Sequence, residues 1–186
     1  MDGLNPLISS RRAIMAFSSR PVEEAKISLL LDAARLAPSA FNAQPWRIFV
    51  ARKEDTPAWN LLFESLSEAN KLWVQYGSLL ILILAETINP ARNSPNPYAK
   101  HDCGLALQNM MLQAEYMGLG SHPMAGFDGN EVAVKLGLKD GLEPLTISAF
   151  GYPGDTALLP EALRERQMRA RIRKGMDDLI LRSGSV

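Results

Sequence analysis

Three stretches of this chain carry residues whose types and spacing suit chemistry. The first is Ala37-Pro38-Ser39-Ala40-Phe41-Asn42-Ala43-Gln44-Pro45-Trp46. Ser39, Asn42 and Gln44 place short polar groups on what reads as a loop, where sites tend to be built. An amide side chain offers donors and an acceptor together, which suits the edge of a heterocycle. The same groups equally suit a plain connector that satisfies its own backbone. The second stretch is Arg11-Arg12, and the third, near the other end, is Arg171-Ile172-Arg173-Lys174. Guanidinium forks match phosphate oxygens, although paired arginines are also an ordinary solvated helix end. On an extended segment Arg171 and Arg173 point the same way.

Other chemistries are poorly provided for. Cys103 is the single cysteine, so no internal disulfide forms, and His101 and His122 have no metal-ligand spacing. Cys103 reads as a buried structural thiol. His122 offers a proton donor, but it has no evident orienting partner, and a lone His at a strand edge is more often structural. Lys+Arg and Asp+Glu are both 20, so no global field recruits nucleic acid or an anionic membrane. The tail arginines lack a recognition element to go with them.

The elements that must position these residues follow from periodicity. Residues 2–10 suggest a short helix with Asp2 as N-cap. Pro21 opens a helix through Leu36, which Pro38 ends, and residues 47–51 form a strand. Thr56 as N-cap and Pro57 start a helix through about Ala69. Leu79–Ala85 is apolar without alternation, so both faces of that strand should be buried. The prolines within 86–100 read as loop. A helix from Tyr98 to Met117, apolar round most of its circumference, should be deeply buried, its small residues permitting close approach to another helix. Asp128 and Glu131 make a capping box for a helix through Leu136, and 146–150 is the last strand. The 186 residues make one domain, 1–186, with 156–186 as a C-terminal extension. The start lacks the order of a signal peptide, and the longest apolar run is far short of the roughly 20 residues that span a bilayer, so a cytoplasmic protein is the default.

The segment Pro38-Ser39-x-x-Asn42-x-Gln44-Pro45-Trp46 resembles the signature of the FMN-dependent nitroreductase superfamily, and weaker matches in the same order extend over about residues 2–180. Arg11-Arg12-Ala13-Ile14-Met15-Ala16-Phe17 is similar to the family's N-terminal phosphate-holding element, with Ala13 in place of the usual Ser and Met15 in place of a cation. Ser121-His122-Pro123-Met124-Ala125-Gly126-Phe127-Asp128 resembles the strand-edge segment whose backbone approaches the flavin, Ala125 standing where many relatives have Glu. Arg171 to Ile180 resembles the terminal basic segment, with Gly175 for Pro. The resemblance implies cofactor contacts from Arg11, Arg12, Ala13, Pro38, Ser39, Ala40, Asn42, Asn70, Pro123, Ala125, Gly126, Arg171 and Arg173. Phe41 would either wall the ring or pack.

What the resemblance implies is an α+β fold, a central mixed or antiparallel sheet flanked by helices, in a homodimer with FMN at the subunit interface. NADH or NADPH would reduce the flavin, and nitroaromatics, quinones or related small-molecule acceptors would reoxidise it by a ping-pong mechanism. Two further readings stay open: a specialised FMN enzyme, of reductive dehalogenase or flavin-cleaving type, and a non-enzymatic module that binds a phosphate-bearing ligand. Without a Rossmann glycine fingerprint, nothing discriminates NADH from NADPH.

Overall fold

The computed structural model describes residues 3–89 and 93–181. Four strands form one antiparallel sheet in the order β1 (Trp46–Arg52), β2 (Leu79–Glu86), β6 (Leu142–Gly151), β5 (Gly120–Met124). A small hairpin of β3 (Ile88–Asn89) and β4 (Ser94–Pro95) lies apart from it. The helices are α1 (Pro6–Ser10), α2 (Glu24–Arg35), α3 (Thr56–Ser65), α4 (Glu68–Val74), α5 (Ala99–Tyr116), α6 (Gly129–Leu136) and α7 (Glu161–Met168).

The unbroken apolar run in β2 explains the layering. Leu79, Ile81, Ile83 and Ala85 face a core shared with α2 and α5, while Leu80, Leu82 and Leu84 face one shared with α3, α4 and α6. Successive strand residues point to opposite faces, so a strand buried on both must be apolar throughout. Helices therefore cover both faces of an antiparallel sheet, as expected.

Several element boundaries differ from expectation for tertiary reasons. Asp2 lies outside the described residues, and Asn5 caps α1 through a bond from the Leu7 N–H. α2 starts at Glu24 rather than Pro21. Glu23 stays extended (ψ 142°), and its carboxylate accepts from Arg20 and from the Tyr152 hydroxyl. Asp55, not Thr56, caps α3. The single helix expected from 56 to 69 is two, broken where Leu66 bridges to Phe127 and the Ser67 N–H donates to the Gly126 carbonyl. Asp128 caps α6 through the Glu131 N–H at 2.9 Å, but Glu131 turns to Lys135 instead of completing the box. α5 is buried on one broad face only. Gly104 and Tyr116 are exposed and Leu112 is half-buried, which corrects the expectation of a deeply buried helix.

The two chain ends are tied together. The Gln167 amide oxygen accepts from the backbone N–H groups of Met15 (2.6 Å) and Ala16 (2.8 Å). Arg12 donates to the carbonyls of Gln167 (2.5 Å) and Arg169 (3.1 Å), and Arg171 donates to those of Arg11 (2.9 Å) and Ser9. A Cβ on Gly154 would lie 2.4 Å from the Phe17 backbone, so the turn after β6 must be glycine to let the N-terminal segment pass.

Candidate active site

The residues singled out from sequence gather in three places. Arg11, Arg12, Ala13, Pro123, Arg171 and Arg173 line one cavity of about 490 Å³. Ala125 and Gly126 line a wider depression of about 740 Å³ between the α3–α4 junction and the start of α6. Asn70, on α4, reaches that second place by donating from Nδ2 to the Gly126 carbonyl at 3.0 Å. The close approach explains Gly126, whose Cβ would stand 3.0 Å from both Asn70 Nδ2 and Ser67 Oγ. Pro38, Ser39, Ala40 and Asn42 lie on the loop that feeds β1, and Ala40 lines a small recess of about 70 Å³ against residues 94–98.

The basic cavity has a distinctive electrostatic state. Arg166 and Arg169 join Arg11, Arg12, Arg171 and Arg173 around it, with Met111, Ala170 and Ile172 as apolar lining. Among the described residues no ion pair holds a carboxylate against Arg11, Arg12 or Arg171, and the latter two bond to carbonyls instead. Burial, and then the neighbouring guanidiniums of Arg171 and Arg173, push the Arg11 pKa down, while the Glu115 carboxylate acts in the opposite direction. Like charges held together in partial burial favour a bound anion. Cations grouped beside apolar residues suit an anionic group carried on an organic molecule.

Neither Met15 nor His122 lines the basic cavity. Met15 is 2% exposed, packed in the core on the α3 side. His122 donates from Nδ1 to the Ile14 carbonyl at 2.7 Å and stacks on Trp73 at 4.5 Å between ring centroids. Burial lowers its pKa, against the Ile14 bond that raises it, with Arg166 adding to the lowering. The ring is a neutral spacer between the N-terminal segment and α4.

The 37–45 loop is under backbone strain. Phe41 (φ 55°), Asn42 (φ 54°) and Gln44 (φ 46°) all adopt the left-handed region without being glycine. Ser39 Oγ accepts from the Gln44 N–H at 3.0 Å, and Asp102 Oδ2 accepts from the Ala40 N–H at 3.0 Å. Phe41 is 82% exposed.

Sequence reasoning passed over four residues that the fold brings in. Arg166 and Arg169 stood out as basic, yet their place in the cavity depends on how α7 returns to the N-terminus. Gln167 and Asp102 carried no motif. The one available signal for Asp102 was an acid within the apolar run of α5, where it is 2% exposed. Among the described residues no group of three or more His, Cys, Asp and Glu is placed to hold a metal ion, and no helix is long and apolar enough to cross a membrane.

Comparison with known proteins joins this geometry to a lineage. A model of the nitroreductase family matches residues 8–77 and 61–152. A Thermus thermophilus protein named NADH dehydrogenase is 31% identical over 174 residues, covering 78% of this chain and 84% of its own. A 4-nitrobenzoate reductase from Pseudomonas putida is 27% identical, with 90% and 92% covered. Among solved structures, an oxidoreductase containing FMN superposes with a TM-score of 0.90 at 31% identity, over 97% of this chain and 91% of that one. A structure from Desulfovibrio desulfuricans in complex with FMN gives a TM-score of 0.75 at 25% identity, over 97% and 98%.

Proposed function

The chain belongs to the nitroreductase family, and from that premise we propose that it is an FMN-dependent oxidoreductase drawing electrons from NADH or NADPH. The observation that carries this reading is the arginine cavity, where both chain ends bring cations together in partial burial. Bound FMN would supply two-electron transfer between a reduced nicotinamide and an acceptor such as a nitroaromatic or a quinone, the two taking turns in one pocket in ping-pong fashion.

The protein's part is binding and orientation. Arg11 would hold the phosphate together with Arg173, whose guanidinium donates locally to the Ile172 carbonyl, while Arg12 and Arg171, bonded to carbonyls across the two chain ends, keep the cavity wall in place. Ala13 and Pro123, with Met111 and Ile172, would exclude water beside it. Asn70, fixed through Nδ2 to the Gly126 carbonyl, keeps its amide oxygen as an acceptor next to Ala125 and Gly126.

The Pro38–Asn42 loop does not line that cavity within one chain. It feeds the β1 edge of the sheet, whereas Pro123 sits on the β5 edge. Three strand spacings of about 4.8 Å separate the edges by roughly 14 Å. A homodimer resolves this, with Pro38, Ser39, Ala40 and Asn42 of one copy meeting the flavin of the other. An apolar groove of about 530 Å³ between α2 and α5 offers a seat, with Leu36 77% and Tyr116 73% exposed on it. Sedimentation as a monomer at micromolar concentration would contradict the dimer. In this reading residues 1–186 act as one FMN-binding domain whose 156–186 extension closes the phosphate end.

The phosphate assignment is tested by Arg11→Ala and Arg173→Ala. Losing one charge-assisted bond of about 1.5–3 kcal/mol weakens FMN affinity roughly 10–100-fold. Thermal stability without flavin should shift little, because neither guanidinium holds the chain ends together. Unchanged FMN affinity in both variants would overturn the assignment.

A further inference from the structure

Asp102 is a buried carboxylate that no part of the proposed chemistry uses. It lies near the start of α5, 2% exposed, and its two oxygens do different things. Oδ2 accepts from the Ala40 N–H at 3.0 Å, and Oδ1 meets His101 Nδ1 at 3.0 Å. The His101 side chain is 70% exposed, so the carboxylate links the loop to a solvent-facing imidazole. A buried carboxylate is costly unless its oxygens are satisfied, so its place here is conditional on the loop being where it is.

The loop it holds is the strained one. Three non-glycine residues within Phe41–Gln44 sit at positive φ. Such backbone persists only where the surroundings over-determine it, and it collects at sites that hold a ligand. Ser39 ties the far end through the Gln44 N–H, and Asp102 ties the near end through Ala40. Between the two ties Phe41 is turned out to solvent. Met111, nine residues further along α5, lines the arginine cavity, about 14 Å along the helix axis. One helix therefore anchors both the loop and part of a cofactor wall.

We propose that Asp102 is a positioning residue: through the Ala40 N–H it clamps the strained 39–44 loop in the conformation that shapes the pocket shared by nicotinamide and acceptor. This rests on the oxidoreductase reading above. Breaking the clamp lets the loop relax to ordinary dihedrals and withdraws Ala40, Phe41 and Asn42 from their places, without touching the arginine cavity.

The test uses the full-length protein saturated with FMN, as wild type, Asp102→Ala, Asp102→Ser and Asp102→Asn. Amide hydrogen exchange is followed in peptides covering 38–45 and 79–86, and KM and kcat are measured with NADH and a quinone acceptor. In Asp102→Ala, exchange in the 38–45 peptide should rise at least about tenfold while β2 stays protected. KM for the quinone should rise about tenfold with kcat changed much less, and saturating FMN should remain bound on the arginines while its affinity falls through the lost Ala40 and Asn42 contacts. Asp102→Asn keeps an acceptor for the Ala40 N–H and should restore both readouts most of the way. Asp102→Ser is too short to reach Ala40 but can satisfy its hydroxyl on the helix backbone, so it repeats the alanine result if alanine fails to fold. An unchanged loop exchange rate, or a released loop with unchanged KM, overturns the proposal. Failure of the underlying reading shows separately, as absence of flavin reduction by NADH in the wild type.

Discussion

At the scale of single residues, burial decides which polar groups act and which only hold. His122 illustrates the second kind. Its folded pKa lies below the ordinary value of 6.5, chiefly because burial disfavours the charged ring. Well above pH 6.5 both folded and unfolded forms are neutral, and the group contributes nothing to pH dependence. As pH falls below 6.5 the unfolded chain takes up a proton that the folded one resists, so stability declines on acidification. Thermal unfolding between pH 7.5 and 5.5 should show this decline, and His122→Gln should lessen it. An identical pH slope in the variant would contradict the assignment. Cys103 is as inert: fully buried, with its pKa pushed up to about 12 by desolvation and then by Asp102. The arginines of the basic cavity, Arg11, Arg12, Arg171 and Arg173, were legible in the sequence because their segments resemble the family's phosphate-holding elements. Asp102 and Gln167 were not, because their roles exist only once distant backbone N–H groups are delivered to them.

At the scale of elements, local signals served well where neighbours agree with them. The apolar run of β2, the glycine end of α5 and the Asp128 cap of α6 were all readable, since each depends on its own few residues. The break between α3 and α4 was not, because nothing at Ser65–Ser67 forbids helix. The break is imposed by pairing of Leu66 with Phe127 and of Ser67 with Gly126. The tail is a similar case. Its extended run of arginines is secured by α7, whose Gln167 accepts two backbone N–H groups from the Met15–Ala16 segment. Gln167→Ala leaves both donors without that acceptor in a half-buried place, a loss of about 1–3 kcal/mol. For a chain of this size that lowers Tm by roughly 2–4 °C per kcal/mol. Gln167→Glu, which retains an acceptor, should lose less. Equal stability of wild type and Gln167→Ala would show that the staple carries nothing.

At the scale of the whole molecule, the fold's logic is the division of a site between distant parts. The arginine cavity forms only because the chain's two ends meet, and the strained loop lies at the other edge of the sheet. A second copy related by a two-fold axis would supply each cavity with a loop, and the one-sided exposure of α5 leaves a surface on which it can dock. The fold class was legible in the sequence because the order of its motifs survives over nearly all of the chain. The proposed division of the site between two copies follows from the family resemblance, because residue spacing carries no information on which copy a loop serves.

The central claim is tested most directly by one spectrum. The purified protein is mixed with FMN, desalted, and its visible absorbance followed anaerobically as NADH and then NADPH is added. The account predicts flavin retained after desalting and bleached within seconds by at least one nucleotide. Retained flavin that stays oxidised with both would point to a flavoenzyme with another reductant, and a folded protein that keeps no flavin would contradict the account.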